Sequence, residues 1–387
     1  MPLRPLTRCG DTGSGQAVRV GSLLFDEWQS LLLNGGWSDT FVYRLSANDG
    51  LPPVDYARAV RRVVPPLLKL RHSASLWVAV ESPAGGTWYA EQVRRTLHGI
   101  SAPVAVTNGI GDPPHLNDFS FFPWTERIQS PPPPQAENPV PEDISANELR
   151  CLQVLARLEQ AYTLEVASLL GCSRPTARKA LNTLRERDLL DYYPESGRVR
   201  YPYWEIRRRG VSLALRSWGV SAGVSFPRRK ERRYGGKKRD HDKKVLYVGG
   251  RHRSTSRLWP AWLRKAWPDR ATIWAGWSEV FLGGSRPDAL AWGLLNERET
   301  IFWLEVESGN RSKVEIARKA IRSINKAILY VDSFSDLDLV VAFLGPPWVL
   351  GGIKDVLSDV PGHVAVVLAG WTDFGVLPEP VRGKVEG

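Results

Sequence analysis

Apolar positions along this chain follow two periods that alternate. Thr40 to Leu45, Ser75 to Val80 and Pro103 to Thr107 are short runs rich in β-branched, aromatic and apolar residues, and they predict strands. Val54 to Leu70 and Trp88 to Leu97 carry apolar residues at helical spacing. Strand and helix in alternation predict a small α/β domain with a parallel sheet over residues 1–129. No phosphate loop or metal pattern stands out in it, so its role stays open among sensing, partner binding and DNA contact.

The pattern changes after residue 143. Ser145-Ala146-Asn147-Glu148 is a capping box, and Leu149, Leu152, Leu155 and Leu158 follow at near-helical spacing. Thr163 is placed to cap a second, short helix bearing Val166, Ala167, Leu169 and Leu170. Gly171 permits the left-handed turn of a helix-turn-helix. Ser173 then caps a third helix, with Pro175 in its first turn, where a missing N–H does no harm. Ala177, Ala180, Leu181 and Leu184 share one face of it, and Arg174, Thr176, Arg178, Lys179 and Asn182 fall on the others. Tyr192-Tyr193 and Val199-Arg200-Tyr201 flank Pro194-Glu195-Ser196-Gly197, which reads as a hairpin turn, with Arg198 and Arg200 placed to touch phosphate. Residues 144–226 are thus expected to form a winged helix-turn-helix that enters the major groove of double-stranded DNA. A three-helix unit used for protein contacts would share much of this pattern.

In the last third, Trp259 to Trp267 predicts a helix, and Thr272 to Leu282 a strand with a bend at Gly276. A turn at Gly283-Gly284-Ser285 leads to the Asp288 strand, and Asn296-Glu297-Arg298-Glu299 leads to the Glu305 strand. Lys313 to Tyr330 is amphipathic over its whole length, with Val314, Ala317, Ala320, Ile321, Ile324 and Ile328 on one side. Leu337 to Leu344 and His363 to Leu368 predict strands, with a helix at Ile353 to Leu357 between them. The order is a hairpin, then helix, strand, helix and strand. His241 to Val248 fits either a helix or a strand at the entry. Seven tryptophans lie between Trp259 and Trp303, and most suit a core.

Composition separates these segments and suggests a partner. The 387 residues suffice for two or three domains. Six prolines between Ser130 and Pro141 mark residues 130–143 as an extended linker. Residues 227–244 hold ten basic residues against three acids: Arg228, Arg229, Lys230, Arg232, Arg233, Lys237, Lys238, Arg239, Lys243 and Lys244. That segment fits a phosphate-contacting connector or a solvated linker. The net charge of +11 points to an acidic partner, nucleic acid above all. Three cysteines with no CxxC pair argue against a zinc site or a disulfide framework. No apolar run approaches a membrane span or a signal h-region, so the expected location is the cytoplasm.

The candidate chemistry lies in residues 245–387. Asp288 and Glu305 sit in apolar, strand-like runs, where a carboxylate is costly unless solvated, paired or bound to a cation. On neighbouring strands the two could hold Mg²⁺, which prefers a few carboxylates plus waters. Glu307, two residues on, points to the same face. Solvent-facing acids at strand ends would give the same sequence.

Arg286-Pro287-Asp288 followed by Glu305-Val306-Glu307 resembles the PD-(D/E)xK nuclease superfamily, and the element order resembles its restriction-endonuclease-like core. That resemblance implies a lysine at position 307, beside the attacking water. Here Glu307 stands instead, and Lys313 or Lys319 from the following helix could take over the role. The helix-turn-helix segment resembles bacterial winged-helix domains of the MarR and related types. The two together, with His241-Asp242 and Leu304-Glu305-Val306-Glu307-Ser308-Gly309, resemble the plasmid replication-relaxation family. That resemblance implies a role in plasmid or mobile-element replication. The expected whole is an α/β multi-domain protein that recognises a DNA sequence. One alternative is an active Mg²⁺-dependent endonuclease or nickase. Another is a scaffold for a protein partner of a replication, transposition or defence complex, docked through residues 1–129.

Overall fold

The computed structural model describes residues 18–20, 23–25, 27–33, 36–47, 52–54, 56–57, 74–98, 104–109, 143–194, 202–217, 250–278, 280, 282, 285–307, 312–357, 360–361, 364–370 and 381–382. The expected proline-rich linker (except Asp143), the basic segment, His241 to Val248, Arg198 and Arg200 lie outside them. Among the described residues the protein is a mixed α/β chain with four sheets. It divides into two compact units, Met1–Arg232 and Arg233–Gly387.

The first unit opens with a hairpin of β1 (Val18–Val20) and β2 (Leu23–Phe25). A four-stranded sheet follows, in the order β3 (Glu27–Leu33), β4 (Gly36–Ser46), β5 (Ala74–Glu81), β6 (Val104–Asn108). β4, β5 and β6 run parallel, as expected, and β3 adds an antiparallel edge that the apolar pattern did not reveal. Parallel neighbours need a crossover. Between β5 and β6 it is α1 (Trp88–Leu97), which buries Trp88, Tyr89, Val93 and Leu97. Between β4 and β5, Pro53, Val54, Tyr56 and Ala57 are helical, and the rest of the expected helix lies outside the described residues.

Further along the same unit come α2 (Ala146–Leu158), β7 (Gln160–Ala161), α3 (Thr163–Leu170) and α4 (Arg174–Glu186). β8 (Leu190–Tyr193), β9 (Tyr203–Ile206) and α5 (Arg208–Ser217) complete the segment. The Ser145 hydroxyl accepts from the Glu148 N–H, and the Glu148 carboxylate accepts from the Ser145 N–H at 2.8 Å, as the capping box requires. Gly171 ends α3 at φ 65°, and Ser173 caps α4. Thr163 does not cap α3. Tyr162 holds that position, with its N–H donated to Glu165, and the Thr163 hydroxyl instead accepts from the Trp204 indole at 3.0 Å. The strand that returns beside β8 is β9, with Tyr193 opposite Tyr203, and the expected Val199 to Tyr201 lies outside the described residues. Leu152, Leu155, Val166, Leu181, Leu184 and Trp204 meet in one core. Each such side chain contributes roughly 1.5–3 kcal/mol through its burial.

The second unit is a six-stranded sheet in sequence order, β10 (Ala271–Ser278) to β15 (Val381–Arg382). β10, β11 (Ala289–Leu295) and β12 (Arg298–Val306) form an antiparallel meander behind α6 (Gly250–Ala266). α7 (Lys313–Val331) crosses over to parallel β13 (Asp338–Gly345), and α8 (Pro347–Lys354) leads to parallel β14 (Val364–Gly370). α8 begins six residues before the expected Ile353, because Pro346 caps it and Pro347 occupies its first position, where proline is harmless. The irregularity in β10 is a register shift between Ile273 and Ala275, not a bend at Gly276. Gly276 is needed for another reason: a Cβ there would stand 2.1 Å from Pro260 Cγ of α6.

The helices α6 and α7 cover opposite faces of this sheet. Pro260 of α6 lies under Gly276, and Trp267 packs on Phe302. On the other face, Tyr330 of α7 packs on Trp303.

Candidate nucleic-acid interface and carboxylate centre

The β11–β12 turn decides where the acids meet. Asn296 and Glu297 have φ of 49° and 67°, and Leu295 pairs with Arg298 across them. Two left-handed residues make the tight turn whose twist matches that of a hairpin. The register it sets pairs Ala289 with Leu304, and just past that pair the Asp288 charge acts on the Glu305 carboxyl.

Asp288 itself immediately precedes β11. Its N–H donates to the Leu304 carbonyl at 3.0 Å, and its Oδ2 accepts from the Val306 N–H at 2.8 Å. Arg286 is exposed. Glu305 and Glu307 are buried, at 7% and 6% exposure. Glu305 Oε1 accepts from the Trp303 indole N–H at 3.0 Å. Trp303, Glu305 and Glu307 alternate onto the face that α7 covers.

Lys319 of α7 completes the cluster. Its ammonium donates to Glu307 Oε1 and stands 3.5 Å from Glu305 Oε2. Lys313, the other candidate, is exposed at the first position of α7, with its stem against Gly352 of α8. Six helical residues separate the two lysines by roughly 9 Å and 240°, so they cannot serve one site.

Electrostatics binds the four groups together. Burial and the facing Asp288 charge push the Glu305 carboxyl above its ordinary range, while Lys319 and the Trp303 hydrogen bond pull it back. Burial works to lower the Lys319 pKa, but the Glu307 hydrogen bond and the charges of Glu305, Glu307 and Asp288 raise it on balance. Among the described residues, Asp288, Glu305 and Glu307 gather around the Lys319 ammonium. Among the described residues no group of three His, Cys, Asp or Glu is arranged to hold a metal.

The second candidate surface is α4. Ala177, Ala180, Leu181 and Leu184 are buried, and Arg174, Thr176, Arg178, Lys179 and Asn182 are exposed. The Thr176 hydroxyl is tied to the cap, 2.7 Å from Ser173 Oγ. Other cations nearby are neutralised: Arg187 pairs with Asp143 at 2.6 Å, and Arg207 with Asp191 at 2.6 Å and with Asp188. Among the described residues, no carboxylate lies within 4.0 Å of Arg174, Arg178 or Lys179.

Sequence reasoning missed three contributors. Trp303 looked like core, but its place two residues before Glu305 puts both on one face, a signal that was available. Arg185 stands about one turn beyond Asn182 on the same helix and was also readable. The Val306 N–H that holds Asp288 could only be found from the register.

No family model matches the chain, and no curated protein matches it. Among solved structures it is similar to a mutant of ZitR from Lactococcus lactis, with 16% identity over 30% of this chain and 78% of that one, at a TM-score of 0.20. A second is AdcR, the adhesin competence repressor of Streptococcus pyogenes, with 16% identity over 28% of this chain and 81% of that one, at 0.19. A third is MepR, a transcription regulator of the Staphylococcus aureus multidrug efflux pump MepA, with 14% identity over 28% and 78%, at 0.18. At such TM-scores the likeness adds nothing to what the chain's own elements show. No helix among the described residues is long and apolar enough to cross a membrane.

Proposed function

We propose that residues 144–226 form a winged helix-turn-helix that binds double-stranded DNA, with α4 in the major groove. The observation that carries this reading is the contrast in ion pairing. Arg174, Arg178 and Lys179 are exposed without a carboxylate partner among the described residues, while Arg187 and Arg207 in the same segment are neutralised. Unpaired cations on the outer face of a short helix behind a glycine turn suit phosphate and base edges. The net charge of +11 supports the same partner.

Binding to DNA fragments selected from a random pool tests it. One sequence should be enriched, with affinity falling steeply as salt rises. Arg174→Ala and Arg178→Ala should each cost about 1–3 kcal/mol on the selected site and relax its sequence. Equal loss on selected and random DNA in both variants refutes reading of the groove by α4.

A second reading gives residues 245–387 a restriction-endonuclease-like fold with an Mg²⁺-dependent phosphodiesterase site, in a protein of plasmid or mobile-element replication. The meeting of Asp288, Glu305, Glu307 and Lys319 favours it. Asp288 and Glu305 would hold the cation. A bound divalent cation would offset phosphate charge and lower the pKa of a water. Glu307 orients the Lys319 ammonium towards that place, where a lysine at position 307 would otherwise stand. The test is nicking of supercoiled plasmid with Mg²⁺ or Mn²⁺. Asp288→Asn is the cleaner inactive control, because Asp288→Ala also strips the Val306 N–H of its acceptor. Undiminished nicking in both Asp288→Asn and Glu305→Gln removes this site from consideration.

A further inference from the structure

Arg185 is the cation on α4 that the groove-reading face does not use. It lies on one ridge with Arg174, Arg178 and Asn182, at helical offsets that keep all four on the same side. It is exposed, and its guanidinium carbon stands 5.8 Å from the centroid of the Tyr192 ring in β8. Among the described residues no carboxylate lies within 4.0 Å of it. This is cation–π range. A guanidinium held by a ring keeps its N–H edge available for a bidentate acceptor.

Its distance along the helix sets what it can touch. Eleven residues separate Arg185 from Arg174, roughly 16 Å of axis, and the major groove is about 12 Å wide. If the N-terminal end of α4 meets base edges, its C-terminal end has passed out of the groove to the flanking strand. Tyr192 belongs to β8, the first strand of the hairpin, so the pair joins the helix to the base of the wing.

We infer that Arg185, held over Tyr192, is a backbone-phosphate contact that fixes the angle of the helix and wing on the duplex. It carries no sequence information. The inference rests on the DNA-binding reading above. Tyr192 acts as a positioning residue: its ring restricts the guanidinium in advance, and its hydroxyl plays no part.

The experiment is fluorescence anisotropy with the full chain and a short mixed-sequence duplex over a series of salt concentrations, alongside the selected site. Arg185→Ala should lower the slope of log affinity against log salt by about one and weaken both duplexes equally. Tyr192→Leu should weaken both less than Arg185→Ala and leave the slope nearly intact, and Tyr192→Phe should match the unaltered protein. Arg185 is exposed, but Tyr192 is half-buried with its ring 4.6 Å from that of Trp204, so unchanged thermal unfolding is required of both Arg185→Ala and Tyr192→Leu to exclude a folding defect. An unchanged slope in Arg185→Ala overturns this inference and leaves the DNA-binding reading standing. So does a loss confined to the selected site, which would make Arg185 a base reader. Absence of binding by the unaltered protein to every duplex overturns both.

Discussion

Replacing Lys319 by Met keeps an unbranched, apolar side chain on α7 and removes the cation that pairs with Glu305 and Glu307. The ammonium stands 3.5 Å from Glu305 Oε2. At the effective dielectric of about 20 that suits protein sites, one such pair is worth about 5 kcal/mol before desolvation. Burying the ammonium takes back several kcal/mol, and breaking a buried pair typically costs about 3–5 kcal/mol because a charge is left uncompensated. Lys319 keeps 28% of its side chain exposed, which lets water soften the loss. We expect a destabilisation of about 2–3 kcal/mol at neutral pH.

The effect should depend on pH in a defined direction. The Glu305 carboxyl is already raised by burial and by Asp288, so its ionised form opposes folding as pH climbs above the ordinary carboxyl range. Without Lys319 that cost grows, because the pull that Lys319 exerts on Glu305 is gone. Below the ordinary range Glu305 is neutral in folded and unfolded chains, and the variant should approach the unaltered protein. The raised Lys319 pKa acts at the other end. Its stabilisation is complete below the ordinary lysine value and is lost as pH rises through the folded one. Scanning calorimetry at several pH values follows both effects, and Glu307→Gln added to Lys319→Met should recover part of the loss at neutral pH. A difference below about 1 kcal/mol at neutral pH, or one that does not shrink in acid, refutes the account, since an uncompensated buried charge must respond to protonation.

Other perturbations isolate single features. Gly293→Ala should destabilise the second unit by more than the roughly 1–3 kcal/mol of ordinary overpacking, because its Cβ would lie 2.0 Å from the Thr272 carbonyl; chemical denaturation measures it. Ser145→Ala removes the cap of α2 and should cost about 1 kcal/mol by the same assay. Burial pushes the Cys151 thiol up to about 12, so it should resist thiol reagents at mildly alkaline pH until the fold opens; rapid labelling of Cys151 under native conditions would contradict its burial.

Local signals made much of this protein legible. Ser145 with Glu148, Gly171, and Ser173 with Pro175 each act within one turn of chain, and each does what its residue type requires. The alternation that puts Glu305 and Glu307 on one face is equally local. Where a nearby residue competed for the same role, the pattern misled: Thr163 looked like a cap, but its hydroxyl serves Trp204, 41 positions away. β7 and the edge strand β3 escaped notice because two- and seven-residue elements carry little periodicity of their own and are held by their neighbours, whereas α5 is amphipathic over its ten residues and was readable.

The carboxylate centre divides along the same line. Its acids and their spacing, Glu307 included, are properties of the amino-acid order. Which lysine answers them is not, since Lys313 and Lys319 both lie on the same amphipathic helix. The choice depends on the rotation of α7 over β12, set by packing such as Tyr330 on Trp303. The approach of Asp288 to Glu305 depends on the two-residue turn at Asn296 and Glu297, which sets the register as far as Ala289 and Leu304, since a slip of one position would turn every side chain to the other face. Periodicity marks an apolar side only approximately, since on α7 Val314 and Ile321 of the expected face are exposed while Ile316 and Ala327 are buried; only packing and register specify which charged groups, far apart in the chain, come to face each other.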